Sequence, residues 1–148
     1  MTSERTTLGE LLRAARSRLA RLGPEEAFAA QRAGAILVDT RSHDERREHG
    51  IIPGSLHIPR SVLEWRLDPD GDPAYRSPHV ESLDDWIVLV CAHGESTSLA
   101  AATLQDLGFS RATDLIGGFS AWKEAGLPVV PAPEPAAGAV PGLGPPDA

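Results

Sequence analysis

The only cysteine of the chain directly follows an apolar run that is typical of a buried strand. Residues 86–90 (WIVLV) lead into Cys91, a short polar segment follows, and an alanine-rich helical pattern begins near Leu99. Backbone N–H groups at the start of a helix, together with its dipole, stabilise negative charge at such a position. A stabilised thiolate is a stronger nucleophile at neutral pH, since an ordinary thiol is mostly protonated there. We therefore predict that Cys91 is a nucleophile, either as a thiolate or as the carrier of a second sulfur.

The segment after Cys91 suits a loop that binds an anion. Gly94 permits backbone angles that let several N–H groups converge, and hydroxyls just beyond it can cap the helix or donate to the anion. We take the whole segment as the candidate active-site and substrate-binding loop: Ala92, His93, Gly94, Glu95, Ser96 and Thr97. The alternative is a buried cysteine that acts as a small hydrophobic residue. Redox chemistry of the C-x-x-C type needs a second cysteine, and Cys91 with His93 is too few ligands for zinc, so we predict no metal.

Composition narrows the class of protein. The chain has 148 residues, is 41% hydrophobic and 24% charged, and carries a net charge of −7. These values are typical of one soluble domain, and the negative charge disfavours nucleic acid or an anionic membrane as a partner. A single cysteine forms no internal disulfide, and neither a signal peptide nor a spanning helix is visible. We expect a cytoplasmic protein.

The two ends differ from the middle. Residues 1–22 are rich in arginine and place leucines and alanine at helical spacing, which predicts one basic amphipathic helix. We favour packing of this helix on its own domain; the alternative is docking on a membrane or a protein partner. Residues 131–148 are mostly proline, alanine and glycine, and predict a flexible tail. The predicted domains are therefore 1–22, 23–130 and 131–148.

Short strand and helix signals alternate between these ends. Pro24 with two glutamates opens a helix that ends near Gly34, and residues 99–107 form another that Gly108 ends. Strand signals lie at 35–39, 56–58, 86–90 and 112–116, and residues 119–125 form a last helix. Such alternation predicts an α/β fold, with a central parallel sheet and helices on both faces. Ligands bind beyond the carboxyl ends of the strands in such sheets, which is where Cys91 lies.

Four motifs in order resemble the rhodanese homology domain, the single-domain rhodanese-like sulfurtransferase family. They are a strand ending in Asp-x-Arg (LVDTR, 37–41), a Gly-x-Ile-Pro-Gly segment (GIIPGS, 50–55), the cysteine loop (CAHGEST, 91–97) and a Gly-Gly-x-x-x-Trp segment (GGFSAW, 117–122). The resemblance covers residues 22 to 130. It implies that Cys91 attacks a sulfane sulfur donor, holds the sulfur as a persulfide, and passes it to a thiol, cyanide or a protein cysteine. This covalent chemistry needs no cofactor.

The loop departs from the family pattern in its charge. The family's loop arginine is Ser96 here, and Glu95 places a negative charge beside the nucleophile. An arginine fork would bind an anionic donor and help hold the thiolate. We therefore expect a persulfide or polysulfide donor in preference to free thiosulfate. The alternative is a non-catalytic or redox-sensing module of the same fold; a cysteine phosphatase is disfavoured because its chemistry needs charge clamps on phosphate oxygens.

Residues outside the loop complete the predicted site. Arg66, preferred over Arg60, is the candidate that replaces the missing loop charge and contacts substrate. Asp39 ends a neighbouring strand, where we expect it to face the Cys91 loop, cap its backbone and lie near substrate. Arg41 is predicted to be structural, pairing with Asp44, Glu45 or Glu48, and Trp122 is predicted to fill the core.

Overall fold

Four short strands pair side by side in one parallel sheet. The computed structural model describes residues 5–134 and places the strands in the order β2-β1-β3-β4. Their bounds are β1 (Ile36–Asp39), β2 (Leu56–His57), β3 (Ile87–Val90) and β4 (Thr113–Asp114). The central pair runs in register from Ile36 opposite Ile87 to Asp39 opposite Val90. The carboxyl ends of β1 and β3 therefore lie at the same edge of the sheet, and Cys91 directly follows β3.

Helices cover both faces of this sheet, so the predicted α/β fold is confirmed. Alternate residues of β3 point to opposite sides: Leu89 packs with α4 and α5, whereas Val88 and Val90 pack with α2 and α6. Trp122 is completely buried among the residues that pack with α2 and α6, as predicted. The helices of the described residues are α1 (Leu8–Ser17), α2 (Pro24–Arg32), α3 (His43–His49), α4 (Leu63–Leu67), α5 (Ser96–Leu107) and α6 (Gly118–Glu124). Of these, none is long and apolar enough to cross a membrane.

The N-terminal segment is a shorter helix than the sequence predicts, followed by an extended stretch. Helix α1 starts at a capping box of Thr7 and Glu10 and ends at Ser17, so the prediction of one helix through residue 22 is wrong. Leu22 instead forms a parallel bridge with Leu115, next to β4. This bridge requires extended chain at Leu22, and Pro24 begins α2. The stretch after Ser17 therefore does not continue the helix that the periodicity predicted. Residues 1–4 and most of the predicted tail, 135–148, lie outside the described residues.

Helix α1 packs against α5, while part of its leucine face remains open. Ala15 is buried, but Leu8 and Leu11 are exposed. A role for this helix in binding a protein partner stays a prediction, as does the division of the chain into three domains. Three elements escaped the sequence analysis, namely α3, α4 and the short 3-10 helix Arg60–Val62 before α4, and α5 begins at Ser96 rather than Leu99.

Candidate active site

Cys91 lies at the predicted place, where β3 ends and the loop toward α5 begins. Cys91 is buried, with 8% of the residue exposed. The backbone N–H of Gly94 donates to Cys91 Sγ at 3.1 Å, and Thr97 Oγ1 lies 3.3 Å from the same sulfur. One N–H of the loop and one hydroxyl of α5 thus lie within hydrogen-bond distance of the sulfur. The N–H of Gly94 stabilises a negative sulfur, and the hydroxyl of Thr97 does so when its proton points to Sγ.

These contacts change the acidity of the thiol. Burial raises the pKa of Cys91, because it penalises the charged thiolate. Hydrogen bonds from the side chains of Thr97 and Ser96, and from the backbone of Thr97 and Gly94, lower that pKa. The lowering outweighs the effect of burial, so the pKa of Cys91 lies below its ordinary value. A larger share of the sulfur is therefore thiolate near neutral pH than in a free cysteine.

Asp114 forms a buried acidic group behind the thiol. It ends β4, is completely buried, and accepts hydrogen bonds from Thr97 Oγ1 at 3.0 Å and Ser98 Oγ at 2.9 Å. Its other partner is Arg21, whose Nε donates to Oδ1 at 2.8 Å and whose Nη2 donates to Oδ2 at 3.2 Å. The hydroxyl of Thr97 beside the sulfur thus donates to the carboxylate of Asp114, which in turn accepts two hydrogen bonds from the guanidinium of Arg21. Sequence analysis missed both residues of this ion pair.

Two arginines of the N-terminal segment also bind the loop. Arg21 Nη2 donates to the carbonyl of Gly94 at 2.9 Å, and Arg16 Nη2 donates to the same oxygen at 3.1 Å. Arg16 Nε donates to Ser98 Oγ at 3.0 Å. No local pattern in the sequence marks these residues, because their partners lie more than seventy positions away. Asp114 had one weak signal: it is an acidic residue within the predicted strand at 112–116.

Helix α6 fixes the loop from the other side. The backbone N–H of Phe119 donates to the carbonyl of Cys91 at 2.8 Å, and that of Ser120 donates to Ala92 at 3.1 Å. Gly118 makes this approach possible, since a Cβ there would collide with the carbonyl oxygen of Cys91 and lie 2.7 Å from the nitrogen of Gly94. The Gly-Gly motif of the sequence therefore serves close packing of α6 on the loop as well as a turn.

The remaining loop side chains are open to solvent. His93, Glu95 and Ser96 are exposed, and Nδ1 of His93 lies 3.2 Å from Ser120 Oγ. Glu95 precedes the first residue of α5 and makes no side-chain cap there. The hydroxyls of Thr97 and Ser98, which we expected to cap the helix or bind an anion, donate to Asp114. Binding of substrate by the loop stays a prediction.

Asp39 and Arg41 pair with each other at the end of β1. Arg41 Nη2 donates to Asp39 Oδ2 at 2.8 Å and to the carbonyl of Gly50 at 2.8 Å. The predicted pairing of Arg41 with Asp44, Glu45 or Glu48 is wrong, because the carboxylate next to it in space is the one at its own strand end. Asp39 Oδ1 accepts from the N–H of Arg41, so the backbone it caps is not that of the Cys91 loop. A substrate contact of Asp39 stays a prediction.

Arg66 and Arg60 differ in their surroundings. Arg66 is 5% exposed, and burial lowers the pKa of its guanidinium. Arg60 forms an ion pair with Glu64, with Nη1 and Oε1 2.8 Å apart. A substrate contact of Arg66 stays a prediction. The cations that the described contacts do bring to the Cys91 loop are Arg16 and Arg21.

Comparison with known proteins places this arrangement in a family. The family model described as "Rhodanese-like domain" matches residues 24–125. The chain belongs to the rhodanese-like domain family. The resemblance predicted from the four motifs is thus confirmed. Helix α1, Arg16 and Arg21 lie before the matched range.

Relatives with curated names are sulfurtransferases. A thiosulfate sulfurtransferase GlpE of Pseudomonas syringae pv. syringae is 36% identical over 104 residues, which are 70% of this chain and 86% of that protein. One of Stutzerimonas stutzeri is 37% identical over 103 residues, 70% of this chain and 84% of that protein. At the level of the family, the chain is therefore related to rhodanese-like sulfurtransferases.

Two solved structures extend the comparison. A protein of unknown function from Rhodopseudomonas palustris, described as a possible tyrosine phosphatase, is 34% identical with a TM-score of 0.76, and covers 88% of this chain and 99% of its own. The polysulfide-sulfur transferase homodimer of Wolinella succinogenes is 25% identical with a TM-score of 0.63, covering 82% of this chain and 85% of its own.

Proposed function

We propose that this protein is a sulfurtransferase that carries sulfane sulfur as a persulfide on Cys91. The observation that supports this proposal most directly is the hydrogen bonding of Cys91 Sγ to the N–H of Gly94 and to Thr97 Oγ1, which favours a charged sulfur. Curated relatives named as sulfurtransferases support the same reaction class. The same donors suit the terminal sulfur of a persulfide, which is also negative near neutral pH.

The proposed reaction has two displacement steps. In the first, the Cys91 thiolate attacks the outer sulfur of a donor R–S–S⁻; the new S–S bond forms on Cys91 and R–S⁻ leaves, to be protonated by solvent. In the second, an acceptor thiolate attacks the terminal sulfur of the Cys91 persulfide. The bond between the two sulfurs breaks, Cys91 returns as thiolate, and the acceptor leaves as a persulfide.

We propose a persulfide or polysulfide as the donor in preference to free thiosulfate. Thiosulfate is a dianion that an arginine within the loop would bind, and the chain has Ser96 there, with the carboxylate of Glu95 beside it. The contacts of Arg16 and Arg21 go to protein atoms behind the loop. The name of the Wolinella relative is consistent with a polysulfide donor, whereas the curated relatives are named for thiosulfate, so the donors must be compared directly.

Intact mass spectrometry tests the proposal. The purified protein is incubated separately with glutathione persulfide, polysulfide and thiosulfate, beside Cys91→Ser as the matched control. We expect a reducible gain of about 32 Da on the wild type only, forming fastest with the persulfide donors. Because the chain has one cysteine, the adduct needs no further assignment. If no donor loads the wild type, the proposal is wrong.

A redox-sensing module is the second candidate, and the replacement of the family's loop arginine by Ser96 favours it. In that case, Cys91 would react with peroxide to a sulfenic acid and would not transfer sulfur. Mass spectrometry after dilute hydrogen peroxide, with dimedone as the trap for sulfenic acid, separates the two. Trapping without persulfide loading favours the sensor, and loading followed by transfer to added thiol favours the enzyme. The phosphatase alternative remains disfavoured for lack of a loop arginine.

A further inference from the structure

One arginine is linked to two of the residues that hydrogen-bond to the sulfur, Gly94 directly and Thr97 through a carboxylate. Cys91 Sγ is held by the N–H of Gly94 and by Thr97 Oγ1. Arg21 binds the carbonyl of Gly94 directly and reaches Thr97 through Asp114. Its guanidinium therefore restrains both supports of the thiol through Gly94 and Asp114.

The route through Asp114 depends on the ion pair. The carboxylate is completely buried, and the arginine side chain is 17% exposed. A buried carboxylate without its cation would be strongly unfavourable, so the pair fixes where Asp114 lies. Asp114 in turn holds the hydroxyls of Thr97 and Ser98, which lie in the first turn of α5. Arg21 thus positions the start of α5 relative to β4.

The route through Gly94 depends on an unusual backbone. Gly94 has φ of +79°, and a Cβ there would lie 2.6 Å from the nitrogen of Gly117, so the loop has no room to shift in that direction. Its N–H faces the sulfur, while its carbonyl accepts from both Arg21 and Arg16. Arg16 also donates to Ser98 Oγ, whose hydroxyl is bound to Asp114. Arg16 therefore links the route through Gly94 to the route through Asp114.

We propose that Arg21, assisted by Arg16, is a positioning residue for the Cys91 loop, and that the N-terminal segment is thereby part of the active site. The segment lies outside the matched family range of 24–125. Both guanidinium groups also bring positive charge to a loop that has lost its own arginine, which favours a negative sulfur. This inference deepens the proposed function, and the significance of the positioning for sulfur transfer rests on that function.

Other charges near the loop must be held constant in a test. Asp114 opposes a negative sulfur, and pairing with Arg21 offsets it. The titratable and charged groups on the elements around the loop belong to helix α1 and the stretch after it (Glu10, Arg13, Arg16, Arg18 and Arg21), α5 (Asp106), β4 (Asp114), the end of β1 (Asp39 and Arg41), α6 (Lys123 and Glu124) and the loop itself (His93 and Glu95).

The test is the pH dependence of Cys91 alkylation by iodoacetamide, which reports the thiolate and needs no sulfur donor. The variants are Arg21→Gln and Arg21→Lys, with Arg18→Gln as the matched control. Arg18 belongs to the same segment but pairs with Asp106 at the surface, where the two side chains are 42% and 69% exposed. We expect Arg21→Gln to react about fivefold to tenfold more slowly at pH 7, with its profile displaced to higher pH. Arg21→Lys should recover part of the rate, and Arg18→Gln should match the wild type.

The outcomes separate this inference from the proposed function. If folded Arg21→Gln has the same alkylation profile as Arg18→Gln, the inference is wrong even if the protein transfers sulfur. If Arg21→Gln does not fold, Arg16→Gln decides, with an expected slowing of about threefold; no change there overturns the inference. A displaced profile in a protein that no donor loads would support the positioning role and overturn the proposed function.

Discussion

Thr97 Oγ1 lies 3.3 Å from Cys91 Sγ, and its one hydroxyl proton has a second acceptor in Asp114 Oδ2, 3.0 Å away. A hydroxyl can donate to only one of them at a time. While Cys91 is a thiol, its S–H can donate to Thr97, and Thr97 donates to Asp114. When Cys91 ionises, the hydroxyl can turn to the sulfur, because Arg21 and Ser98 still satisfy Asp114. Thr97 is therefore suited to both charge states of the sulfur.

Replacing Thr97 tests this role. Thr97→Val keeps the shape but removes the donor, so we expect the pKa of Cys91 to rise and alkylation by iodoacetamide at pH 7 to slow several-fold. Thr97→Ser retains the hydroxyl and is the matched control. A Val variant that is folded and as reactive as the Ser variant would show that the side-chain donor does not matter.

Thr97→Val should also change how the stability of the protein depends on pH. The pKa of Cys91 is lowered in the folded protein, so its ionisation stabilises the fold above the unfolded thiol's pKa, and this contribution is lost as pH falls through the folded pKa. We expect the stability of the wild type relative to Thr97→Val to grow as pH rises from neutral toward about 9. Urea unfolding at a series of pH values measures the free energy of unfolding of both proteins. If the difference between them does not change with pH, the lowered pKa of Cys91 is contradicted.

Gly118 and Gly126 separate steric packing from backbone strain. Both have positive φ, 62° and 75°, but a Cβ on Gly118 meets the Cys91 loop, whereas a Cβ on Gly126 meets nothing within 4 Å. Gly126→Ala should cost about 1–2 kcal/mol, from strain alone. Gly118→Ala should cost a further ~1–3 kcal/mol from overpacking and displace the loop. We expect Cys91 alkylation to slow in Gly118→Ala only; equal loss of stability in both variants would contradict close packing.

Two aspartates that pair with arginines of the N-terminal segment should differ in their effect on stability. Asp114→Asn leaves Arg21 without its buried partner and should destabilise the protein by about 3–5 kcal/mol. Asp106→Asn breaks an exposed pair with Arg18 and should cost at most about 1 kcal/mol. Chemical denaturation of both variants measures the difference. Equal midpoints would mean that the buried pair contributes little to the fold.

The sheet and the place of the thiol were predictable because local patterns encode them. The apolar run 86–90 and the glycine after 107 mark β3 and the end of α5, since strand burial and helix termination depend on neighbouring residues. Gly117 and Gly118 were recognised as part of a motif, but the close approach of Gly118 to Cys91 involves atoms some 25 positions apart and left no local trace.

The ion pairs around the site were predicted less well. Arg41 has several acidic neighbours in the sequence, and its partner in the structure is Asp39, which is buried with it at the end of β1. Arg21 and Asp114 are 93 positions apart and meet only because Leu22 pairs beside β4. Composition showed arginines in residues 1–22 but could not distinguish Arg18, which is exposed, from Arg21, which reaches the site.

Restoring the family's loop arginine should change the preferred donor. Ser96 is exposed at the start of α5, so Ser96→Arg can place a guanidinium at the loop without disturbing the core. A guanidinium there would bind the charged oxygens of thiosulfate, which are bonded to the sulfur next to the one transferred; a persulfide has no oxygens at that position. We expect persulfide formation from thiosulfate to rise about tenfold, an effect of roughly 1.4 kcal/mol, and formation from glutathione persulfide to change little.

Ser96→Gln is the control for this gain, because it supplies a long polar side chain without charge. Loading is followed by intact mass spectrometry at equal donor concentrations. A rise in both variants would mean that the added charge is not its cause. Loss of the serine alone predicts slower loading, because its hydrogen bond helps lower the pKa of Cys91. Rapid loading of the wild type from thiosulfate, with no further gain in Ser96→Arg, would mean that a cation already present serves this donor, with Arg66 and Arg21 the first to replace.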